Sequence, residues 1–106
     1  MSIIHKKTKN FNVAGSSNGI LVSFNAEDIS QFPERITFVK DSLSLSFLSE
    51  DKDTKEIIFS LVTVPCKQAI ALATKEKETV NCVFMIVYGE GKSNMKNFPL
   101  NNPYLH

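Results

Sequence analysis

Two cysteines, two histidines and eleven carboxylates are the side chains with which this 106-residue chain could do covalent, acid–base or metal chemistry. Cys66 follows Pro65 and opens a run of good helix formers, and a thiol at a helix N-terminus can become a reactive thiolate. Such a nucleophile also needs a base, most often histidine. The histidines here are His5 and His106, at the two ends. Cys66 therefore reads as a small buried hydrophobe, and Cys82 as filler in a strand core. Both are expected as reduced thiols, with a Cys66–Cys82 bridge only in an oxidising compartment.

The carboxylates do no better as a site. Glu50, Asp51, Asp53 and Glu56 crowd one loop, but the glycine that bends a calcium loop is missing and Lys52 and Lys55 intervene. Glu27, Asp28 and Glu34 sit in a connector, where capping and solvation account for them. Two cysteines with two terminal histidines match no zinc spacing. Gly89-Glu90-Gly91-Lys92-Ser93 contains Gly-Lys-Ser after a strand, as a phosphate-binding loop would. The first glycine of that motif would fall at position 86, which is Ile86, and Asn94 and Pro99 follow where a helix should open. It reads as a glycine turn. No catalytic residue, metal site or cofactor is expected.

What must carry these residues is a strand-rich body. Val80 to Tyr88 is apolar or aromatic except at Asn81, is short, and runs into Gly89 and Gly91. That favours a strand apolar on both faces, covered on both, at the centre of a sheet. Phe11 to Ala14 and Ile20 to Phe24 flank the turn-forming Gly15-Ser16-Ser17-Asn18-Gly19 and suggest a hairpin. Asn25 to Phe32 is a helical turn at best, ended by Pro33. Arg35 to Lys40 is the next strand. Leu43 to Ser49 alternates, with Leu43, Leu45 and Phe47 on one face, and pairs across the charged loop with 56–64. Pro65 then suits the first turn of a helix reaching Glu78, with Cys66, Ala69, Ile70 and Ala73 on its inner stripe. The expected fold is α+β: a mainly antiparallel curled sheet of about six strands, sandwich-like or a partly open barrel, with one covering helix at 65–78.

The chain divides into a flexible basic arm (1–9), one globular domain (10–91) and an irregular tail (92–106). Lys6, Lys7 and Lys9 lie in the arm, while all eleven carboxylates fall in 10–91. Residues 10–91 also hold seven Lys+Arg, so the body is mildly acidic and the net positive charge sits at the ends rather than on a folded face, which counts against nucleic-acid binding, although the arm could contact a polyanion. No apolar run is long enough to span a membrane, and no secretory signal opens the chain. An intracellular, soluble protein is expected, cytoplasmic or nuclear.

The leading functional expectation is a non-enzymatic protein–protein interaction module. It would bind a protein partner or itself, as a homodimer, through a sheet edge or through Phe98, Leu100, Tyr104 and Leu105 of the tail. A small nucleic-acid-binding barrel using Lys6, Lys7 and Lys9 is the alternative, and a small-ligand domain the third.

Overall fold

The computed structural model describes residues 10–75 and 77–104, and the main chain alone of residues 2–6. Eight strands and one helix follow in the order β1 (Ser2–Lys6), β2 (Phe11–Ser16), β3 (Gly19–Asn25), β4 (Arg35–Val39), β5 (Ser42–Glu50), β6 (Ile57–Pro65), α1 (Lys67–Ala73), β7 (Thr79–Val87) and β8 (Ser93–Asn101). They form two four-stranded sheets, sheet A in the order β1-β6-β5-β4 and sheet B in the order β2-β3-β7-β8. The protein is α+β and strand-rich, a sandwich rather than a closed barrel. Each sheet is mixed. β1 runs parallel to β6 and β3 parallel to β7, and the other neighbours are antiparallel.

The alternation legible in β5 sets the sandwich. Leu43, Leu45 and Phe47 point inward and pair with Val64, Val62 and Ser60 of β6. From sheet B, Ile20, Val22 and Phe24 of β3 and Val80, Cys82, Phe84 and Ile86 of β7 meet them in one buried core. Phe84 stacks on Phe24 within sheet B, at 5.4 Å between ring centroids, and meets the Phe47 ring of sheet A edge-on at 6.3 Å. Face-to-face burial of two amphipathic sheets is what makes the layers cohere.

Two strands lie where the sequence suggested none. The residues read as an irregular tail include β8, which pairs with β7 from Thr79↔Asn101 to Val87↔Ser93. The prolines and asparagines that obscured it are tolerated because β8 is an edge strand. Pro99 lacks an N–H, and an edge position does not require one on both sides. Ser2–Lys6, read as part of a flexible arm, forms β1 against β6.

The helix is also shorter than the expected 65–78. Thr74 ends it, its hydroxyl donating to the Ile70 carbonyl at 2.6 Å. Lysine and glutamate propensity over the next residues is worth only tenths of a kcal/mol, about as much as any local preference. A competing tertiary contact decides the end. The Asn102 side-chain amide donates to the Thr74 carbonyl at 2.7 Å and to the Lys77 carbonyl at 2.6 Å, tying the segment after β8 onto the chain after α1. Ala69, Ile70 and Ala73 are the helix's buried residues, and α1 lies against β2 and β3. The contact is on the core side, since a Cβ on Gly15 of β2 would run into the Ala69 backbone, and Gly15 pairs with inward-facing Ile20.

Candidate functional site

Packing or turn geometry accounts for Asp51, for the Gly89–Lys92 segment and for both cysteines, while His106 and the side chain of His5 lie outside the described residues. Asp51 closes its loop, its carboxylate accepting from the Asp53 N–H at 2.9 Å while its carbonyl accepts from the Lys55 N–H at 2.8 Å. Among the described residues no group of three or more His, Cys, Asp or Glu side chains is placed to hold a metal ion. Gly89 to Lys92 is the β7–β8 hairpin turn. Glu90 and Gly91 have φ of 63° and 75°, and the Tyr88 N–H donates to the Lys92 carbonyl at 2.8 Å. Positive φ at both central residues suits the right-handed twist of the flanking strands.

Cys66 sits at the N-cap of α1 with its side chain making no cap hydrogen bond. Burial pushes its thiol up, against the pull of a backbone hydrogen bond at Leu43, which opposes the activation that a helix N-terminus can give. Cys82 is fully buried in β7, and burial, with the nearby Cys66 adding to it, pushes its thiol from 9.0 to about 12. Both cysteines are free. The folded protein holds the Cys82 proton up to about pH 12, while the unfolded chain releases it near 9.0. This contribution to stability is therefore complete below pH 9 and is lost as pH rises from 9 towards 12, at about 1.4 kcal/mol per pH unit at the steepest. Denaturant titrations across that window should show a shallower alkaline decline in Cys82→Ala than in wild type. Parallel declines would mean that Cys82 ionises freely in the fold.

The tail residues expected to bind a partner divide. Phe98 and Leu100 face inward from β8 and are core, 9% and 6% exposed. They are not free to dock, because the alternation of β8 turns them against the sandwich interior. Tyr104 is half exposed, but its ring packs edge-on against Phe38 at 5.9 Å and its hydroxyl donates to the Lys40 carbonyl. Leu105 lies outside the described residues, as do Lys7 and Lys9. Lys6 is placed only as main chain in β1, opposite Val62.

The surface that stands out is the outward face of sheet B. β7 was expected to be covered on both faces, and among the described residues only its inward face is. Val83, Met85 and Val87 point outward and are half-buried, and α1 lies on the other side of the sheet. The ladder registers place Leu21 beside Val83, and Met95 beside Met85. Leu21 and Met95 are 36% and 63% exposed. Asn12, Ala14, Asn25, Asn81, Asn97 and Pro99 surround this apolar centre, and none of the outward positions of the four strands carries a charge. A depression of about 360 Å³, lined by Ala14, Gly19, Leu21, Asn81 and Val83, lies where small residues leave the sheet low.

No family model, curated protein or solved structure matches the chain.

Other concavities lie away from this face. A cavity of about 140 Å³ under the connector between β3 and β4 is lined by Asp28, Gln31, Phe47, Ser49 and Ser60. That is below the roughly 300 Å³ at which small-molecule sites begin. A groove of about 360 Å³ between the edges β4 and β8 is lined by Arg35, Thr37, Phe38, Pro99 and Pro103. The sequence could have flagged the sheet B face. Val80–Tyr88 is apolar on both faces apart from Asn81, and the sequence suggested a single covering helix.

Proposed function

We propose that this chain is a non-enzymatic protein–protein interaction or assembly module that docks through the outward face of sheet B. One observation carries the reading: a whole sheet face, with Leu21, Val83, Met85 and Met95 at its centre, bears no charged side chain and is covered by no element among the described residues. Soluble proteins keep charged and polar groups on surfaces that meet only water, and contiguous apolar patches mark places where another molecule sits. Depletion of charge with Met enriched is also the composition of the central part of protein interfaces. The described charges lie elsewhere: in the connector at Glu27, Asp28 and Glu34, on Arg35, in the loops at Lys40–Asp41, 50–56 and 90–92, around α1, and at Lys96, which takes the inward parity of β8 opposite Phe84.

A photo-crosslinking residue at Met95 tests this, with one at Lys52 in the charged hairpin loop as control. Met95 should give one defined covalent protein product, either another protein or a second copy of the chain, that Lys52 does not give. Equal, diffuse labelling from both positions would overturn the reading.

A further inference from the structure

We infer that the occupant of the sheet B face is a second copy of this chain, packed face to face about a two-fold axis. The inference rests on the docking reading above and adds the partner. In a two-fold dimer the same patch meets itself, so every side chain near the axis faces a copy of its own surroundings. A lysine or glutamate there would meet its like, and like charges across an interface are costly. The face avoids this, carrying only apolar, hydroxyl and amide side chains besides glycine. Asn12, Asn81 and Asn97 are at its margins, and an amide both donates and accepts, so it can pair with another amide. A foreign partner would not require such neutrality, since it could supply the opposite charge. The formal charge of +1 leaves little long-range repulsion between copies.

The dimensions agree. Four strands about 4.8 Å apart and roughly seven residues long cover on the order of 450 Å² of flat area per copy. With side-chain relief added, two copies reach the roughly 1,000 Å² at which specific interfaces begin, at the weak end of that range. An axis running along the strands between the inner pair, β3 and β7, sets Leu21 of one copy on Val83 of the other, because the two are register neighbours.

The test is solution mass of the full chain by light scattering, from about 1 to about 500 µM, the range over which weak interfaces associate. Wild type should pass from monomer to dimer with a midpoint insensitive to salt. Leu21→Glu and Leu21→Lys should each remain monomeric, and mixing the two in equal amounts should restore dimer mass. That rescue cannot come from a variant that merely fails to fold. A wild type that stays monomeric throughout, or a dimer unaffected by Leu21→Glu, overturns the inference. If the chain is monomeric and the crosslinker at Met95 still captures a single foreign protein, the docking reading stands and its partner is foreign. If the crosslinker captures nothing beyond the Lys52 control, both fall.

Discussion

Alanine at position 19 should lower stability by about 3–5 kcal/mol, a large part of what a domain this size possesses. Two effects combine. Gly19 has φ of 141°, a region that side-chain-bearing residues rarely enter, and leaving it would break the turn from β2 into β3. A Cβ there would also overlap the Asn81 carbonyl oxygen, which belongs to the backbone of β7 and cannot rotate away. Strain of this kind is worth about 1–3 kcal/mol and overpacking about as much again. The control is Gly89→Ala, where a Cβ meets nothing within 4 Å. There, loss of freedom in the unfolded chain should leave stability within about 1 kcal/mol of wild type. Urea midpoints of the two variants provide the comparison. Equal midpoints would mean that β3 and β7 can separate cheaply at this end. Gly15 tells the same story on the other side of the hairpin, since a Cβ there would overlap the backbone of Ala69 and push α1 off β2.

Much of this sandwich can be read from the residues, and the places where reading fails have physical causes. The β5–β6 hairpin declares itself because Leu43, Leu45 and Phe47 alternate with serines over a face that water still wets. The first hairpin declares itself through its turn: Ser16 pairs with Gly19, leaving Ser17-Asn18 at the tip. β8 hides because its inward residues, Phe98 and Leu100, come at one end of a stretch otherwise made of Asn, Ser, Lys and Pro. Edge strands can afford such composition, so periodicity weakens where burial is one-sided and partial. The end of α1 hides because it depends on Asn102, far along the chain. The parallel pairing of β3 with β7 is likewise invisible locally, since it arises from the crossover through sheet A and α1.

The uncharged outward face of sheet B was legible only as a surplus. A strand apolar on both sides needs two covers, and the sequence offers one helix, expected at 65–78. Reading that surplus as full burial within the chain placed β7 at a doubly covered centre. The structure gives it one covered face, and Phe98 and Leu100, assigned by sequence to a partner, complete that covered side. Candidate contacts thus moved from inward to outward positions of the same β7–β8 ladder, from Phe98 and Leu100 to Met95. This is the one-residue parity that strand geometry turns on.

Phe84→Ala should cost about 3–5 kcal/mol, the range for a fully buried phenylalanine whose cavity cannot collapse. Phe84 is the ring at which the architecture converges. It stacks with Phe24 of its own sheet, at 5.4 Å, and takes edge contacts from Phe32 of the connector at 6.0 Å and from Phe47 of sheet A at 6.3 Å. Its removal therefore withdraws one partner from three rings at once, and each such pairing is worth about 0.5–1.5 kcal/mol beyond area burial. Neighbouring strands are fixed by their ladders, so the hole stays open. Phe38→Ala is the comparison. Phe38 is only half-buried and meets one ring, that of Tyr104, so about 1–2 kcal/mol is expected for a partly buried aromatic. Equilibrium urea unfolding should show the Phe84→Ala midpoint well below that of Phe38→Ala, with similar slopes if both keep the native surface. Should the two variants unfold together, the aliphatic layers of Leu43, Leu45, Val62 and Val64 against Ile20 and Val22 would be what holds the sheets, and the ring cluster would be filling rather than fastening. Leu45→Ala would then be the substitution that parts them.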